Sequence, residues 1–219
     1  RWFPNATLNF AENLLRFADD REALVEIGES NARRALTYSQ LREQVARLTG
    51  WMREQNIQPG DRVAGFMPNC IETVVAMLAT TSVGAVWSSC SPDFGQQGAV
   101  DRFGQIAPRL LFTADGYVYS GKRCDSLARA SDIASAIPDI EHVVVVPKLS
   151  PQPVLGEIEK AVLLESCLSG DLPALRFEPR SFNDPLFILY SSGTTGVPKC
   201  IVHGIGGTLI QHAKEHALH

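Results

Sequence analysis

A chain of 219 residues with 45% hydrophobic and 20% charged side chains has the composition of a packed globular protein of one to two domains. Its net charge of −4 lacks the basic balance of a broad nucleic-acid binder, so any phosphate site has to be local. No apolar run approaches the ~18 residues of a membrane span. No secretory core follows the opening Arg1-Trp2-Phe3-Pro4, and the five cysteines, Cys70, Cys90, Cys124, Cys167 and Cys200, form no CxxC pair. That pattern nominates no zinc or dithiol site and fits reduced thiols in a cytoplasmic protein. The absent initiator methionine is expected to mark an incomplete N-terminus.

The first clear element is a helix beginning at Thr37. Thr37 and Gln40 have capping-box spacing, and Leu41, Val45, Leu48 and Met52 recur at helical intervals up to about Gln55. The turn Gln58-Pro59-Gly60-Asp61 feeds a short apolar strand, Arg62 to Met67, closed by Pro68-Asn69. An apolar helix from about Ile71 to Val83 then leads through Gly84 into a strand over Ala85 to Ser88. The result is a βαβ unit.

The alternation continues with a helix over Gln96 to Ile106, a strand over Leu110 to Thr113, a helix near Ser126 to Ala136 and a strand over His142 to Val146. This predicts an α/β fold with a largely parallel sheet and flanking helices. The proline-punctuated stretches Ser150 to Pro153 and Gly170 to Pro179 are expected to connect surface elements. Thr208 to His219 has helical character without a terminating cap.

An apolar run, Leu186 to Leu189, delivers the chain into Tyr190-Ser191-Ser192-Gly193-Thr194-Thr195-Gly196-Val197-Pro198-Lys199, and Cys200-Ile201-Val202 reads as the next strand. Glycines let the backbone turn back and aim successive N–H groups at an anion. Ser191, Ser192, Thr194 and Thr195 add hydroxyls, and Lys199 adds a full charge. Charge-assisted hydrogen bonds of about 1.5 to 3 kcal/mol each can together hold a polyphosphate against water. The segment is not a Walker loop, because Val197 and Pro198 precede the lysine and no helix follows it.

YSSGTTGVPK resembles the signature of the adenylate-forming superfamily, which includes acyl-CoA synthetases, luciferases and peptide-synthetase adenylation domains. One position departs from the pattern: the residue after the lysine is usually glycine and here is Cys200. Within that frame WSSCSPDFG (Trp87 to Gly95), DRF (Asp101 to Phe103) and YSGK (Tyr119 to Lys122) are similar to the subfamily that activates acetoacetate. So are the opening WFPNATLNFAENLL and the final GGTLIQHAKEHALH.

The resemblance implies two steps, attack of acetoacetate on ATP to give acetoacetyl-AMP and pyrophosphate, then displacement of AMP by the CoA thiol. It implies ATP, Mg²⁺ and CoA as ligands. Ser191, Ser192, Gly193, Thr194, Thr195, Gly196 and Lys199 would bind the ATP phosphates, and Lys122 would lie near the CoA nucleotide phosphate. No covalent nucleophile is implied. Trp2 and Phe3 are expected to serve packing.

The family's adenine-contacting segment, metal-binding glutamate, ribose-binding aspartate and C-terminal lid domain with its lysine have no counterpart in this sequence. Residues 1–219 therefore read as an incomplete N-terminal AMP-binding domain that is inactive alone. Two other readings stay open: a ligase for acetate, propionate or another short acyl chain, and a non-catalytic nucleotide-binding module that kept the first half of the fold. His212 and His216 stand one helical turn apart, but no HExxH pattern joins them, and no GxSxG elbow supports a serine hydrolase. No repeat or low-complexity tract interrupts the chain, no partner beyond the small molecules is implied, and oligomeric state is not legible.

Overall fold

The computed structural model describes residues 2–29, 31–156, 158, 160–191 and 196–218. The chain opens with β1 (Thr7–Leu8), α1 (Phe10–Leu14) and an antiparallel hairpin of β2 (Glu22–Ile27) and β3 (Arg33–Thr37). The alternating region follows as α2 (Tyr38–Glu54), β4 (Arg62–Phe66), α3 (Ile71–Ser82), β5 (Val86–Cys90), α4 (Gly95–Phe103) and β6 (Leu110–Ala114). A second hairpin, β7 (Gly116–Tyr119) and β8 (Lys122–Asp125), precedes α5 (Leu127–Ala136), β9 (His142–Val146), β10 (Ala161–Leu163) and α6 (Leu164–Cys167). The chain closes with β11 (Arg180–Ser181), β12 (Pro185–Ser191), β13 (Lys199–Gly204) and α7 (Ile205–Leu218).

The central sheet has seven strands in the order β10-β9-β6-β4-β5-β12-β13. Every neighbouring pair is parallel except β12 and β13. Alternate side chains of these strands feed two cores. Val63, Leu110, Phe112, Val144 and Val146 pack with α2, α3 and α6 on one face. Ala64, Phe66, Leu111, Val143 and Val145 pack with α4 and α5 on the other. Burial on both faces explains why these strands read as continuous apolar runs. Gly65 is required by close approach, because a Cβ there would sit 2.6 Å from the Trp87 ring.

Helix α2 begins where its capping box predicts. Thr37 Oγ1 accepts from the Gln40 N–H at 3.2 Å and Gln40 Oε1 accepts from the Thr37 N–H at 2.9 Å, satisfying two end donors reciprocally. Leu41, Val45, Leu48 and Met52 form its buried stripe. Helix α3 is apolar nearly all round because it lies deep in the core. Its last polar residues are neutralised locally, with the Thr80, Thr81 and Ser82 hydroxyls donating to the Ala76, Met77 and Leu78 carbonyls at 2.8, 3.0 and 2.8 Å. Gly84 then turns the chain at φ +76°, a conformation that glycine adopts without a Cβ penalty.

Some boundaries differ from the sequence expectations. Helix α4 ends at Phe103 rather than Ile106, with Gly104 as its cap. Helix α7 begins at Ile205, three residues early, and takes in Gly206, where a Cβ would be 2.1 Å from the Phe182 ring. Trp2 and Phe3, both expected to pack, are 77% and 56% exposed, although the Phe3 ring meets Phe182 at a tilt of 50° with centroids 4.9 Å apart. Among the described residues no helix is long and apolar enough to cross a membrane, and all five cysteines are free.

Strand β13 is the outermost strand on its side of the sheet among the described residues. Ile201 and Val202, whose side chains alternate between its two faces, are 45% and 57% exposed beside the exposed Leu189 of β12.

Candidate functional site

The chain connects β4 to β5 through α3 on one face and β5 back to β6 through α4 on the other. The strand order therefore reverses between β4 and β5. The crevice outside the carboxyl ends of such strands is where open α/β sheets take their ligands. A cavity of about 470 Å³ opens there, lined by Pro68 to Cys70 after β4, Ser91 to Asp93 after β5, Tyr117 to Tyr119 of β7, Lys148 and Leu149 after β9, and Glu26 to Glu29 at the end of β2.

Two polar constellations shape this cavity. The Tyr117 hydroxyl donates to Asp93 Oδ1 at 2.6 Å, and this bond, with burial added, pushes the phenol up to about 12. On the opposite wall Lys148 Nζ lies 2.7 Å from Glu26 Oε1 and 3.6 Å from Glu72 Oε2, while Arg34 reaches both carboxylates at 2.7 Å. Burial by itself would raise the Glu26 carboxyl. The Lys148 and Arg34 cations and the Ile71 N–H outweigh it and hold the group down to about 2. The backbone of Lys148 is fixed as well, since the Asp115 carboxylate accepts from the N–H groups of Lys148, Leu149 and Ser150 at 2.6, 2.9 and 2.8 Å.

The hydroxyl and glycine segment emerges at the same edge. Strand β12 runs parallel to β5 and β13 returns antiparallel, with Tyr190 opposite Cys200 and Ser191 opposite Lys199. Ser191 and Lys199, which flank the centre of the segment, are thus cross-strand partners. Ser192, Gly193, Thr194 and Thr195 lie outside the described residues. Ser191 is half-buried at the end of β12, and Lys199 is exposed at the start of β13. Gly196 has φ +102° with open space where a Cβ would stand, so the backbone conformation rather than crowding requires glycine there. The incoming arm is anchored by Ser88, whose Oγ donates to the Ile188 carbonyl at 2.7 Å and lies 2.9 Å from the Tyr190 hydroxyl. Burial pushes that phenol up to about 12, against the opposing effect of Ser88.

Lys122 belongs to a different ribbon. It opens β8 opposite Tyr119, exposed, and makes no ion pair among the described residues. The turn before it has positive φ at Ser120 and Gly121, and the N–H groups of both residues are captured by the Glu29 carboxylate at 2.7 and 2.8 Å. The structure therefore brings Ser191 and Lys199 together and leaves Lys122 on the hairpin whose other strand lines the cavity. His212 packs its ring edge-on to Phe10 with centroids 5.6 Å apart, and His219 lies outside the described residues. The cavity's cation, Lys148, carries no motif; its one sequence signal is its position just after a strand, at the ligand-binding edge of the sheet.

Comparison with known proteins places this geometry. The chain is 51% identical over its whole length to an acetoacetyl-coenzyme A synthetase of Rhizobium meliloti (strain 1021), of which it spans 34%. It is 46% identical over its whole length to an acetoacetyl-CoA synthetase of Gallus gallus, again spanning 34% of that protein. The solved structure of an acetoacetyl-CoA synthetase from Streptomyces lividans superposes on 99% of the chain with a TM-score of 0.93 and 41% identity, and the match covers 33% of that structure. The chain thus spans about a third of the length of the relatives it matches. The family described as AMP-binding enzyme matches residues 10–217. Since that match takes in the reversed strand order, the cavity beside it and the hydroxyl hairpin alike, the chain belongs to the AMP-binding enzyme family.

Proposed function

We propose that this chain is the first part of the AMP-binding domain of an acetoacetate:CoA ligase, and that a further part with a C-terminal lid domain completes the enzyme. The observation that carries the reading is the pairing of β12 with β13, which sets Ser191 opposite the exposed Lys199 at the ligand edge of the sheet, at the two sides of the hydroxyl- and glycine-rich segment of the sequence. Identity to proteins named acetoacetyl-CoA synthetase along the whole chain supports acetoacetate as the acid.

In the first step the hairpin binds the β- and γ-phosphates of ATP through Ser191, Ser192, Thr194, Thr195, the glycine N–H groups and Lys199. This leaves the α-phosphorus open to in-line attack by the acetoacetate carboxylate. As the bond to pyrophosphate breaks, negative charge grows on the leaving group, and donors fixed in advance stabilise it without reorganising. Hydroxyl oxygens such as those of Thr194 and Thr195 are hard donors that suit Mg²⁺, which when bound neutralises phosphate oxygens. In the second step the CoA thiol displaces AMP. The cavity at the strand reversal offers apolar surface from Ile27, Pro68, Pro92, Val118 and Leu149, its one cation is already paired and its other charges are carboxylates, so it suits the uncharged arm of CoA better than a polyphosphate. We assign it to CoA, with Lys122 at the hairpin tip facing the nucleotide phosphate.

Two measurements on the full-length protein test this. Given a panel of acids, the enzyme is expected to form AMP fastest with acetoacetate; preference for acetate, propionate or a long-chain acid refutes the substrate. Lys199→Ala is expected to slow acetoacetate-dependent pyrophosphate exchange by about 2 to 4 kcal/mol in barrier, more than it weakens ATP binding. Unchanged exchange refutes the phosphate assignment.

A further inference from the structure

The end of helix α4 touches both arms of the hairpin. On the incoming arm the buried Arg102 guanidinium stacks 4.1 Å over the Phe94 ring and 5.8 Å from the Tyr190 centroid, and the Phe103 ring meets Tyr190 edge-on at 6.5 Å. On the outgoing arm Gln105, just past the helix cap, uses both ends of its side-chain amide. Its Nε2 donates to the Asp101 carbonyl at 2.6 Å and to the Pro198 carbonyl at 2.8 Å, and its Oε1 lies 3.5 Å from the Cys200 thiol that donates to it. Tyr190 and Cys200 are paired across the ladder, so both grips act on the same rung. Pro198 and Cys200 are the two neighbours of Lys199.

We propose that Gln105 is a positioning residue that holds the Pro198 carbonyl and the Cys200 thiol on either side of Lys199 and so sets where that ammonium meets the phosphates; this rests on the phosphate reading above. A lysine carries its charge on a flexible four-carbon stem, and only its backbone anchor limits the volume that charge samples. The ladder to β12 holds the outgoing arm from one side, and the Gln105 bond to the Pro198 carbonyl ties it to the end of α4 from the other. Cys200 contributes the thiol that occupies Oε1, a contact a glycine at that position cannot make. Displacements of about 1 Å in a positioning group cost up to a hundredfold in rate, so the loss of these two bonds is felt in the step that uses Lys199.

The test compares Gln105→Leu, Lys199→Ala and the double variant in the full-length ligase, measured in each half-reaction. Gln105→Leu keeps the side chain's bulk and removes all three of its hydrogen bonds, two of which reach the hairpin. It is expected to lower kcat/KM for ATP in adenylation about tenfold, the size of one strong hydrogen bond. Transfer from supplied acetoacetyl-AMP to CoA is expected to keep its rate. In the Lys199→Ala background Gln105→Leu is expected to add less than twofold, because the two act as a unit. Cys200→Gly, which removes the thiol contact and leaves the Gln105 bond to Pro198 in place, is expected to cost two- to threefold in adenylation and serves if Gln105→Leu does not fold. Full adenylation by Gln105→Leu and Cys200→Gly in the presence of a damaged Lys199→Ala overturns the positioning role alone. Additive losses, or equal losses in both half-reactions together with a lowered melting point, overturn it in favour of a structural contact. An unimpaired Lys199→Ala overturns the phosphate reading and this inference with it.

Discussion

Replacing Lys148 by methionine tests the charge cluster on the cavity wall. The change removes an ammonium from between two carboxylates, 2.7 Å from Glu26 and 3.6 Å from Glu72, while keeping most of the side chain's length. The Lys148, Glu26 and Glu72 side chains are only 13–19% exposed, and breaking an ion pair in such surroundings costs about 3 to 5 kcal/mol. Arg34, half exposed, still reaches both carboxylates at 2.7 Å, which brings the expected loss to about 2 to 3 kcal/mol at neutral pH.

The pH dependence identifies the cause. Glu26 is depressed from its usual 4.5 to about 2 in the fold, so its contribution is complete above the unfolded value and is lost as pH falls toward the folded one. At ~1.4 kcal/mol per tenfold change in proton affinity that contribution is at most about 3 kcal/mol, and less than half of it survives near pH 3. In Lys148→Met the Glu26 carboxyl moves back up toward its usual value. The stability gap between the two proteins is therefore widest at neutral pH and narrows in acid. Urea unfolding of the chain at both pH values, read as midpoint with an unchanged slope, measures it. A gap of equal size at pH 7 and pH 3 refutes the electrostatic account and assigns the loss to packing of the lysine stem.

Gly65→Ala is expected to destabilise by about 1 to 3 kcal/mol, because the new methyl overlaps the Trp87 ring at 2.6 Å in the middle of the sheet. A shift in tryptophan fluorescence should accompany the fall in melting point, and an unchanged midpoint refutes the clash. Ser88→Ala is expected to cost about 1 to 3 kcal/mol by removing the hydroxyl that serves the Ile188 carbonyl and the Tyr190 phenol. Adding Tyr190→Phe to that variant should recover part of the loss, since the orphaned hydroxyl goes with it; strictly additive losses refute the pairing.

The α/β alternation from Thr37 to Val146 is legible because its strands are buried on both faces and its long helices carry either a capping box or a continuous apolar stripe. The hairpins are less so. In β2 and β3, charged residues such as Glu22, Glu26, Arg33 and Arg34 pair across the strands, leaving no apolar periodicity to read. β10 and α6 are three and four residues long, shorter than any window in which a period can be counted. For the site, the hydroxyl and glycine segment from Tyr190 to Lys199 announces itself because its chemistry is contiguous in sequence. Glu26, Tyr117 and Lys148 meet only when β2, β7 and the turn after β9 converge on one crevice, so no local pattern marks them. Helix α4 is readable as a helix, but Gln105 just past its cap lies 93 residues from Pro198, and only the fold discloses what that amide holds.

Strand β13 has a consequence for handling the chain. An outer strand with branched apolar side chains on both faces is a template on which another strand can grow, and copies of the same chain are the strands most often at hand. Within its six residues the one charge is Lys199, and Pro198 stands immediately before it. These are the residue types that keep sheet edges from recruiting one another. The lysine assigned to the phosphates is therefore also the gatekeeper of this edge. Light scattering at rising concentration should find Lys199→Ala of the 219-residue chain aggregating sooner than the parent chain, through a route that involves no nucleotide at all.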